Sequence, residues 1–512
     1  MASILCRAVA ALLLLLQFST VWSLPLDISL AGDAGSSRKS HWVDIWTTMP
    51  QLVEPYNLPP APYNSSTSIF NNSTIRQTIH VTLDADSIRL RLSNAFGLSD
   101  LAITSVAIGL PVDQKTGTSA LEPGSSKKVL FSGNEEITIP NGALAVSDPI
   151  DFPVTAQSTL LIDIYLAQGQ QGNAITGHPG SRTTSWLSFG NYVGANNLTD
   201  PSVMSVDHWY FISTVEAPLP PNARSFAIIG DSITDGRGSD TNGNNRWPDL
   251  LLARMQKYRP TSSIALLNQA AGGNRILADG LGPNVLSRLD RDVLAHSGVR
   301  YAMIFEGVND IGVASADPAA QQRIGDELLV AFRQIATRVQ AAGIPIFGAT
   351  ITPFGTPVGS NYTQPYSSDE REKTRQRVND FIRSSGVFDA VLDFDKVLRD
   401  PRAPGVLAEE FDSGDHLHPN VRGYQALADH FPLEVFDRFH WYRLFNPYRC
   451  GEVAEKSMNI PHTDDERIQD TDALSLVSRR LRGADQSEHR SVPKKVRIGS
   501  RGGPAEEFAD IN

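Results

Sequence analysis

The sequence predicts an α/β domain with a parallel sheet, preceded by an all-β domain. Before residue 217 the apolar runs are short and separated by turn residues, whereas after residue 224 such runs alternate with longer helical stretches. The proline-rich stretch APLPPN at 217–222 lies where the pattern changes and is expected to be a stiff joint. Alternating strands and helices predict a parallel sheet that is covered on both faces.

Length and composition are those of a large globular protein. A chain of 512 residues is too long for one compact core, so we expect two domains with additional segments at the ends. Hydrophobic residues make up 41% and charged residues 20% of the chain. The formal net charge of −11 argues against a nucleic-acid partner, because such a partner requires a basic surface that neutralises phosphates.

Residues 1–23 have the pattern of a secretory signal peptide. Arg7 precedes an apolar run at 8–18, and small residues lead to a cleavage site near Ser23. The run is short for an uncleaved anchor, which is the alternative interpretation, and no other stretch approaches the length of a membrane span. We therefore expect a secreted, extracellular protein with no membrane span.

Cysteine and asparagine usage is compatible with export. Cys6 lies in the expected signal peptide, so Cys450 remains alone and the mature chain is expected to have no internal disulfide. Cys450 either pairs between molecules or stays a free thiol. The N-x-S/T sequons of a glycoprotein occur at Asn64, Asn71, Asn72, Asn197 and Asn361.

Residues 40–217 predict the all-β domain, a sandwich or jelly roll. Its predicted strands are short, rich in β-branched residues and bounded by Gly, Pro, Asn and Asp. They cover 42–46, 75–83, 88–92, 101–109, 128–131, 136–139, 159–166 and 209–215. The aromatic residues of this region are expected in its core rather than as surface platforms for sugar rings; they are Trp42, Trp46, Trp186, Trp209 and Tyr210.

Residues 224–445 predict the α/β domain. Strands are predicted at 226–229, 264–267, 302–305, 344–351 and 391–394. Helices are predicted at 248–258, 319–342, 368–384 and 421–430, with Pro419 expected to start the last of them. Beyond residue 451 the chain is charged and poor in aromatics, so 451–512 is expected to be a disordered tail.

A serine follows the first strand of the α/β domain. The run at 226–229 ends at Gly230, and Asp231, Ser232 and a polar turn follow. In an open α/β sheet the carboxyl ends of the strands face the crevice that binds ligands. A lone Gly-Asp-Ser is more often a solvated surface turn, so the assignment depends on the rest of the chain.

Three further polar stretches give that context, namely NQAAGGN at 268–274, EGVND at 306–310 and DSGDHLHPN at 412–420. Together with the Gly-Asp-Ser they supply four motifs in chain order, which contain Ser232, Gly273, Asn309 and the Asp-x-x-His-Pro of Asp415 to Pro419. In these four motifs and their order, the sequence over roughly residues 224–440 resembles the SGNH, or GDSL, hydrolase superfamily. The stretch LRLSNAFG at 90–97 also resembles, less specifically, the β domain of some secreted members.

The resemblance implies a three-layer, flavodoxin-like fold with five strands and the activity of a serine ester hydrolase. It implies that Ser232 is the nucleophile, that His418 is its base and that Asp415 orients His418. The oxyanion hole would consist of the backbone N–H groups of Ser232 and Gly273 and the side-chain amide of Asn309. No metal and no organic cofactor are implied.

Alternatives remain for several of these roles. His416 is the other candidate base, and Gly272 is the other candidate oxyanion donor. A metal site built from Asp412, Asp415, His416 and His418 is conceivable, although no other clustered His or Cys completes a zinc set. We expect Asp231 and Asp310 to serve as caps or buried hydrogen-bond partners.

The predicted function is that of a secreted serine esterase that hydrolyses carboxylic esters through an acyl-enzyme. Export and the β domain favour a polysaccharide carrying acyl groups, although a small-molecule ester is also compatible. A lipase acting on lipid esters is one alternative, and a catalytically silent carbohydrate-binding protein is another. Nucleotide binding is disfavoured, because neither a G-x-G-x-x-G stretch nor a phosphate-binding loop with its lysine is present.

Overall fold

Three larger sheets organise the structure, a computed structural model that describes residues 40–65 and 67–440. The expected signal peptide, the expected tail and both cysteines lie outside the described residues. In chain order the strands of these sheets are β1 (His41–Thr47), β2 (Ser73–His80), β3 (Arg89–Ser93), β4 (Ser105–Gly109), β5 (Lys127–Val129), β6 (Leu144–Val146), β7 (Thr159–Leu166), β8 (Ser185–Phe189), β9 (Met204–Val206), β10 (Ile212–Leu219), β11 (Arg224–Gly230), β12 (Ile264–Ala270), β13 (Val299–Phe305), β14 (Ile346–Ala349) and β15 (Ala390–Leu392).

The strands before residue 220 are antiparallel, which confirms the all-β prediction for this part of the chain. One sheet has the order β1-β10-β3-β6, and the other has the order β9-β8-β2-β7-β4-β5. In β3 the side chains of Leu90 and Leu92 are buried, while those of Arg89 and Arg91 are partly exposed, as expected for a strand with one face on the core. Shorter strands are found at Gln51–Leu52, Ser68–Ile69, Leu101–Ile103, Ile137–Ile139, Gln170–Gln171, Thr176–His178 and Trp209–Tyr210.

The C-terminal part has a five-stranded parallel sheet with the order β12-β11-β13-β14-β15. Numbered from β11, this is the order 2-1-3-4-5 of flavodoxin-like folds, so the predicted fold class is confirmed. All of β11 after Arg224 is buried, as expected for a central strand covered on both faces. A separate antiparallel pair, Arg399–Asp400 and Ala403–Leu407, lies before the last helices.

The α-helices follow the strands of the parallel sheet. They are α1 (Ser232–Asp235), α2 (Trp247–Lys257), α3 (Val285–Leu289), α4 (Val308–Val313), α5 (Pro318–Ala341), α6 (Asp369–Ser384), α7 (Phe394–Leu398), α8 (Val421–His430) and α9 (Val435–His440). Short 3₁₀ turns lie at Pro55–Asn57, Val112–Gln114 and Glu409–Phe411, and a π turn lies at Asp290–Leu294. None of the helices in the described ranges is long and apolar enough to cross a membrane.

The start of α8 differs from the prediction. Pro419 precedes the helix, and Asn420 is the capping residue, whose side chain accepts a hydrogen bond from the N–H of Gly423 at 3.0 Å. An asparagine side chain satisfies a free N–H of the first turn, which a proline cannot do. Pro419 therefore sets the approach to the helix rather than its first turn.

A buried polar interface joins the antiparallel part to the α/β part within one compact unit. The Asp44 carboxylate on β1 lies 2.5 Å from Nδ1 of His296 and accepts the N–H of Ser297 at 3.1 Å. Ser297 Oγ in turn donates to Glu216 on β10 at 2.7 Å. Because buried charges are stable only when paired, these contacts favour a fixed arrangement of the two parts. The exact domain boundary stays a prediction.

Candidate active site

Ser232 is held where β11 ends and α1 begins. The Asp231 side chain caps α1 by accepting the N–H of Ile233 at 2.9 Å, as Asp often does at a helix start. The helix ends after one turn at Gly236, which has a φ of 101°. This strand–turn–helix fixes the Ser232 side chain at the carboxyl edge of the sheet, where it is 4% exposed.

His418 and Asp415 reach this serine from the loop before α8. Oγ of Ser232 lies 2.7 Å from Nε2 of His418, and Nδ1 of His418 lies 2.6 Å from Oδ2 of Asp415. Oδ1 of Asp415 also accepts the backbone N–H groups of Leu417 at 3.0 Å and His418 at 2.8 Å. The carboxylate thus fixes both the ring and the backbone that carries it.

Electrostatics favours a neutral His418 beside an ionised Asp415. Burial, with the charges of Arg237 and Arg182, lowers the pKa of His418 below its ordinary value, although the hydrogen bond and the charge of Asp415 raise it. Although burial raises the pKa of Asp415, its hydrogen bonds to the ring and backbone of His418 and to the backbone of Leu417 hold it well below the ordinary value. The Nδ1–H group of neutral His418 donates a hydrogen bond to Asp415. Nε2 then has no proton and can accept a hydrogen bond from the Ser232 hydroxyl.

Two backbone N–H groups close to the Ser232 hydroxyl are available to bind a ligand oxygen. Within the described ranges, the N–H groups of Ser232 and Gly273 have no hydrogen-bond partner. The N–H of Gly272, by contrast, donates to Oδ2 of Asp235 at 2.9 Å. Gly273 has a φ of +70°, and an added Cβ would lie 2.3 Å from Cδ1 of Leu281, so both its conformation and its surroundings require glycine.

Asn309 is oriented by contacts on both ends of its amide. The residue lies in the first turn of α4, directly after β13. Its Nδ2 donates to the carbonyl of Asn274 at 2.9 Å, and its Oδ1 accepts the hydroxyl of Tyr366 at 3.1 Å. An amide nitrogen carries two hydrogens, so one N–H remains for another acceptor. Sequence reasoning did not identify Tyr366, which lies in a loop without a motif of its own.

A group of buried carboxyl side chains lies behind the serine. Burial, together with the neighbouring charges of Asp310 and Asp235, raises the pKa of Asp231 to about 7. Burial likewise raises the pKa of Asp310 to about 6, although its side chain accepts the N–H groups of Ile276 and Leu277 at 2.9 Å each. Asp231 and Asp310 therefore cap a helix and hold a loop.

His416 has separate partners. Its Nδ1 lies 2.5 Å from Oδ2 of Asp412, and its Nε2 lies 2.6 Å from Oγ of Ser360. The structure therefore places His418, and not His416, against Ser232. In the part of the chain that the structure describes, no group of three or more His, Cys, Asp or Glu side chains is arranged to hold a metal ion.

Comparison with known proteins gives a family match for the region that carries these residues. Residues 228–426 match the GDSL-like Lipase/Acylhydrolase family. No curated protein matches the chain.

Similar solved structures include a GDSL-like lipase from Bacteroides thetaiotaomicron VPI-5482, at 15% identity and a TM-score of 0.31, covering 43% of this chain and 91% of that chain. An alpha/beta hydrolase enzyme from the metagenome of Lake Arreo, Spain, has 21% identity and a TM-score of 0.31, covering 42% of this chain and 96% of that chain. A variant of an acetyl xylan esterase from Geobacillus stearothermophilus has 20% identity and a TM-score of 0.29, covering 41% of this chain and 94% of that chain. From the family match, residues 228–426 form a domain of the GDSL-like lipase/acylhydrolase family.

Proposed function

We propose that this chain is a serine esterase that hydrolyses carboxylic esters through an acyl-enzyme. The observation that carries the proposal is the hydrogen-bonded row of Ser232, His418 and Asp415, with contacts of 2.7 Å and 2.6 Å, beside two unengaged N–H groups. A serine hydroxyl needs such a base to attack a carbonyl at neutral pH.

In the proposed reaction Oγ of Ser232 attacks the ester carbonyl while Nε2 of His418 takes the hydroxyl proton. Asp415 stabilises the imidazolium that forms. Negative charge develops on the carbonyl oxygen, where the N–H groups of Ser232 and Gly273 and the amide of Asn309 would donate to it. His418 returns its proton to the leaving alcohol, and a water molecule, activated by the same histidine, hydrolyses the acyl-enzyme.

We further propose that the protein is secreted and acts on acyl groups of extracellular carbohydrate. The support is the signal-peptide pattern at residues 1–23 and the accompanying β domain. A silent carbohydrate-binding protein is less favoured, because Trp46, Trp209 and Tyr210 are buried in the core as expected. Trp42 and Trp186, also expected in the core, are half-buried instead: Arg89 covers the ring of Trp42, and Trp186 donates its Nε1–H to the carbonyl of Gly117. A lipase is distinguished from an esterase of acylated carbohydrate by the acyl chain length that the protein prefers in its ester substrates.

Labelling with a fluorophosphonate probe tests the nucleophile. We expect the wild-type protein to be labelled and Ser232→Ala to be unlabelled. Ser360→Ala is the matched control, because Ser360 also faces a histidine at 2.6 Å and its loss should leave labelling intact. Labelling of folded Ser232→Ala at the wild-type level would refute the assignment.

Hydrolysis of nitrophenyl acetate, butyrate and a long-chain ester, measured in parallel, tests the substrate class. A preference for acetate supports a deacetylase of carbohydrate, whereas a preference for the long chain supports a lipase. Wild-type protein that is folded but neither labelled nor active would favour the binding protein, and carbohydrate arrays would then identify its ligand.

A further inference from the structure

The antiparallel part of the chain reaches the candidate active site through one buried histidine. His178 ends the short strand Thr176–His178 and is 3% exposed. Its Nε2 lies 2.9 Å from Oδ1 of Asp235, and its Nδ1 lies 3.0 Å from the carbonyl of Met49. Asp235 is the last residue of α1, the helix that Ser232 begins.

Both ring nitrogens of His178 thus face oxygen atoms. A carbonyl oxygen only accepts hydrogen bonds, and an ionised carboxylate also only accepts them. The ring is therefore held at both nitrogens, and through Nε2 it holds one oxygen of the Asp235 side chain in a buried, directional contact.

The second oxygen of this carboxylate holds the loop of the proposed oxyanion hole. Oδ2 of Asp235 accepts the N–H of Gly272 at 2.9 Å, and Gly272 directly precedes Gly273. The backbone of Gly180 packs closely on the same carboxylate, since a Cβ added there would lie 1.8 Å from Oδ2. The antiparallel part therefore confines Asp235 by both a side chain and a backbone segment.

The same loop contacts the antiparallel part at a second point. A Cβ at Gly282 would lie 3.0 Å from Cε of Met49 and 3.6 Å from Oε1 of Gln51. Met49 is also the residue whose carbonyl faces His178. The loop from Gly272 to Gly282 thus faces the antiparallel part directly at Gly282 and is linked to it through Asp235 at Gly272.

We propose that His178 is a positioning residue for catalysis, acting through Asp235 and Gly272 to aim the N–H of Gly273 at the reacting oxygen. The antiparallel part would then be a structural component of the esterase site and not an independent binding module. This inference rests on the proposed esterase function. The oxyanion forms only in the transition state, so the histidine should affect the stabilisation of the transition state and have little effect on substrate binding.

Kinetics of His178 variants with nitrophenyl acetate test the proposal, with sites counted by fluorophosphonate labelling. For His178→Ala we expect kcat per labelled site to fall by ~10- to 100-fold with KM within about threefold, less than the ~10²- to 10³-fold loss on removing a whole oxyanion donor. His178→Gln keeps a donor towards Asp235, so it should recover most of kcat.

His208→Ala is the matched control. His208 is a half-buried histidine of the same antiparallel part, and its Nδ1 lies 2.7 Å from the carbonyl of Pro179, adjacent to His178. We expect this variant to lose stability while keeping wild-type kcat per site. If His178→Ala does not fold, the comparison of His178→Gln with Asp235→Asn takes its place, and only Asp235→Asn, which loses a carboxylate acceptor, should lose kcat.

The outcomes separate the inference from the proposed function. An active wild-type enzyme whose His178 and Asp235 variants lose stability but keep kcat per site, as His208→Ala does, would overturn the positioning role and leave the esterase proposal intact. A folded wild-type protein without labelling or hydrolysis would overturn both. A selective fall in kcat that glutamine restores would support the inference.

Discussion

Replacing Gly273 with alanine tests whether its backbone N–H acts in the oxyanion hole. In the structure Gly273 has a φ of +70°, and the new Cβ would lie 2.3 Å from Cδ1 and 3.1 Å from Cγ of Leu281. Either the leucine side chain or the loop must move. Because the N–H is part of the peptide that moves with the loop, its direction is expected to change.

The two consequences of this change differ in size. An alanine in the left-handed region costs about 1–2 kcal/mol of stability, and the displacement of Leu281 adds to this cost. Loss of one oxyanion donor lowers turnover by ~10²- to 10³-fold, equivalent to ~2.7–4 kcal/mol in the transition state. We therefore expect kcat of Gly273→Ala to fall by at least ~100-fold, while the protein remains folded under assay conditions.

Gly142→Ala is the control for backbone strain. Gly142 has a φ of +77°, and a Cβ there would meet nothing within 4 Å. Urea unfolding should show a loss of about 1–2 kcal/mol for this variant, comparable to the strain at Gly273, with unchanged kcat on nitrophenyl acetate. Wild-type kcat in folded Gly273→Ala would refute the assignment of this N–H as an oxyanion donor.

Two further predictions concern the base and the amide donor. Neutral His418 is the proposed base, and burial lowers its pKa, so kcat/KM should fall as the pH drops through one ionisation below pH ~6.5. The charge of Arg182 also lowers this pKa. Arg182→Gln should therefore move the midpoint of the pH profile to higher pH. A midpoint above pH ~7 in the wild type would contradict this prediction. Tyr366→Phe removes the hydroxyl that donates to Oδ1 of Asn309 at 3.1 Å. A buried hydrogen bond contributes about 1 kcal/mol, so kcat should fall by about fivefold with KM unchanged. Tyr301→Phe, which alters a buried hydroxyl bonded to Arg224, should leave kcat unchanged, and an equal loss in both variants would show that Tyr366 acts only on stability.

The sequence could place the candidate site residues at one edge of the sheet because most of them follow the ends of strands. Ser232 and Asn309 lie in the helices that follow β11 and β13, and the loop with Gly273 follows β12. Adjacent parallel strands bring their carboxyl ends to one edge, so short motifs far apart in the chain become neighbours. The bounds of α8 were also predicted correctly, since its apolar periodicity is continuous.

Elements that depend on tertiary partners were predicted less well. The strand predicted at 75–83 ends at His80, because Thr82 donates its N–H to the carbonyl of Ile45 and so leaves the ladder. The run at 101–109 is two strands, since Leu101–Ile103 and Ser105–Gly109 pair with different partners. The strand β9 is only three residues long and mostly exposed, so it lacks the apolar pattern on which the prediction relies.

The residues that support the candidate site could not be predicted from the sequence, because their contacts join residues that are far apart in the chain. Tyr366 and His178 carry no motif, and each acts by contacting a residue more than 50 positions away: |i−j| is 57 for both Tyr366–Asn309 and His178–Asp235. Nothing in the local sequence distinguishes them from other buried aromatic or histidine residues. The double glycine at 272–273 was ambiguous until Asp235 was found to engage the N–H of Gly272.

Each proposed oxyanion donor is held by a different support. The strand–turn–helix carries Ser232, the Asp235 carboxylate holds the loop of Gly273, and the Tyr366 hydroxyl orients Asn309. Fixed donors stabilise a developing charge without reorganising during the reaction, whereas mobile donors lose most of that benefit. Because each support is one contact or one turn within a large buried core, its loss should leave the protein folded while the donor that it holds is misaligned. Turnover should therefore be more sensitive than stability to changes at these supports, and this difference distinguishes positioning residues from ordinary core residues.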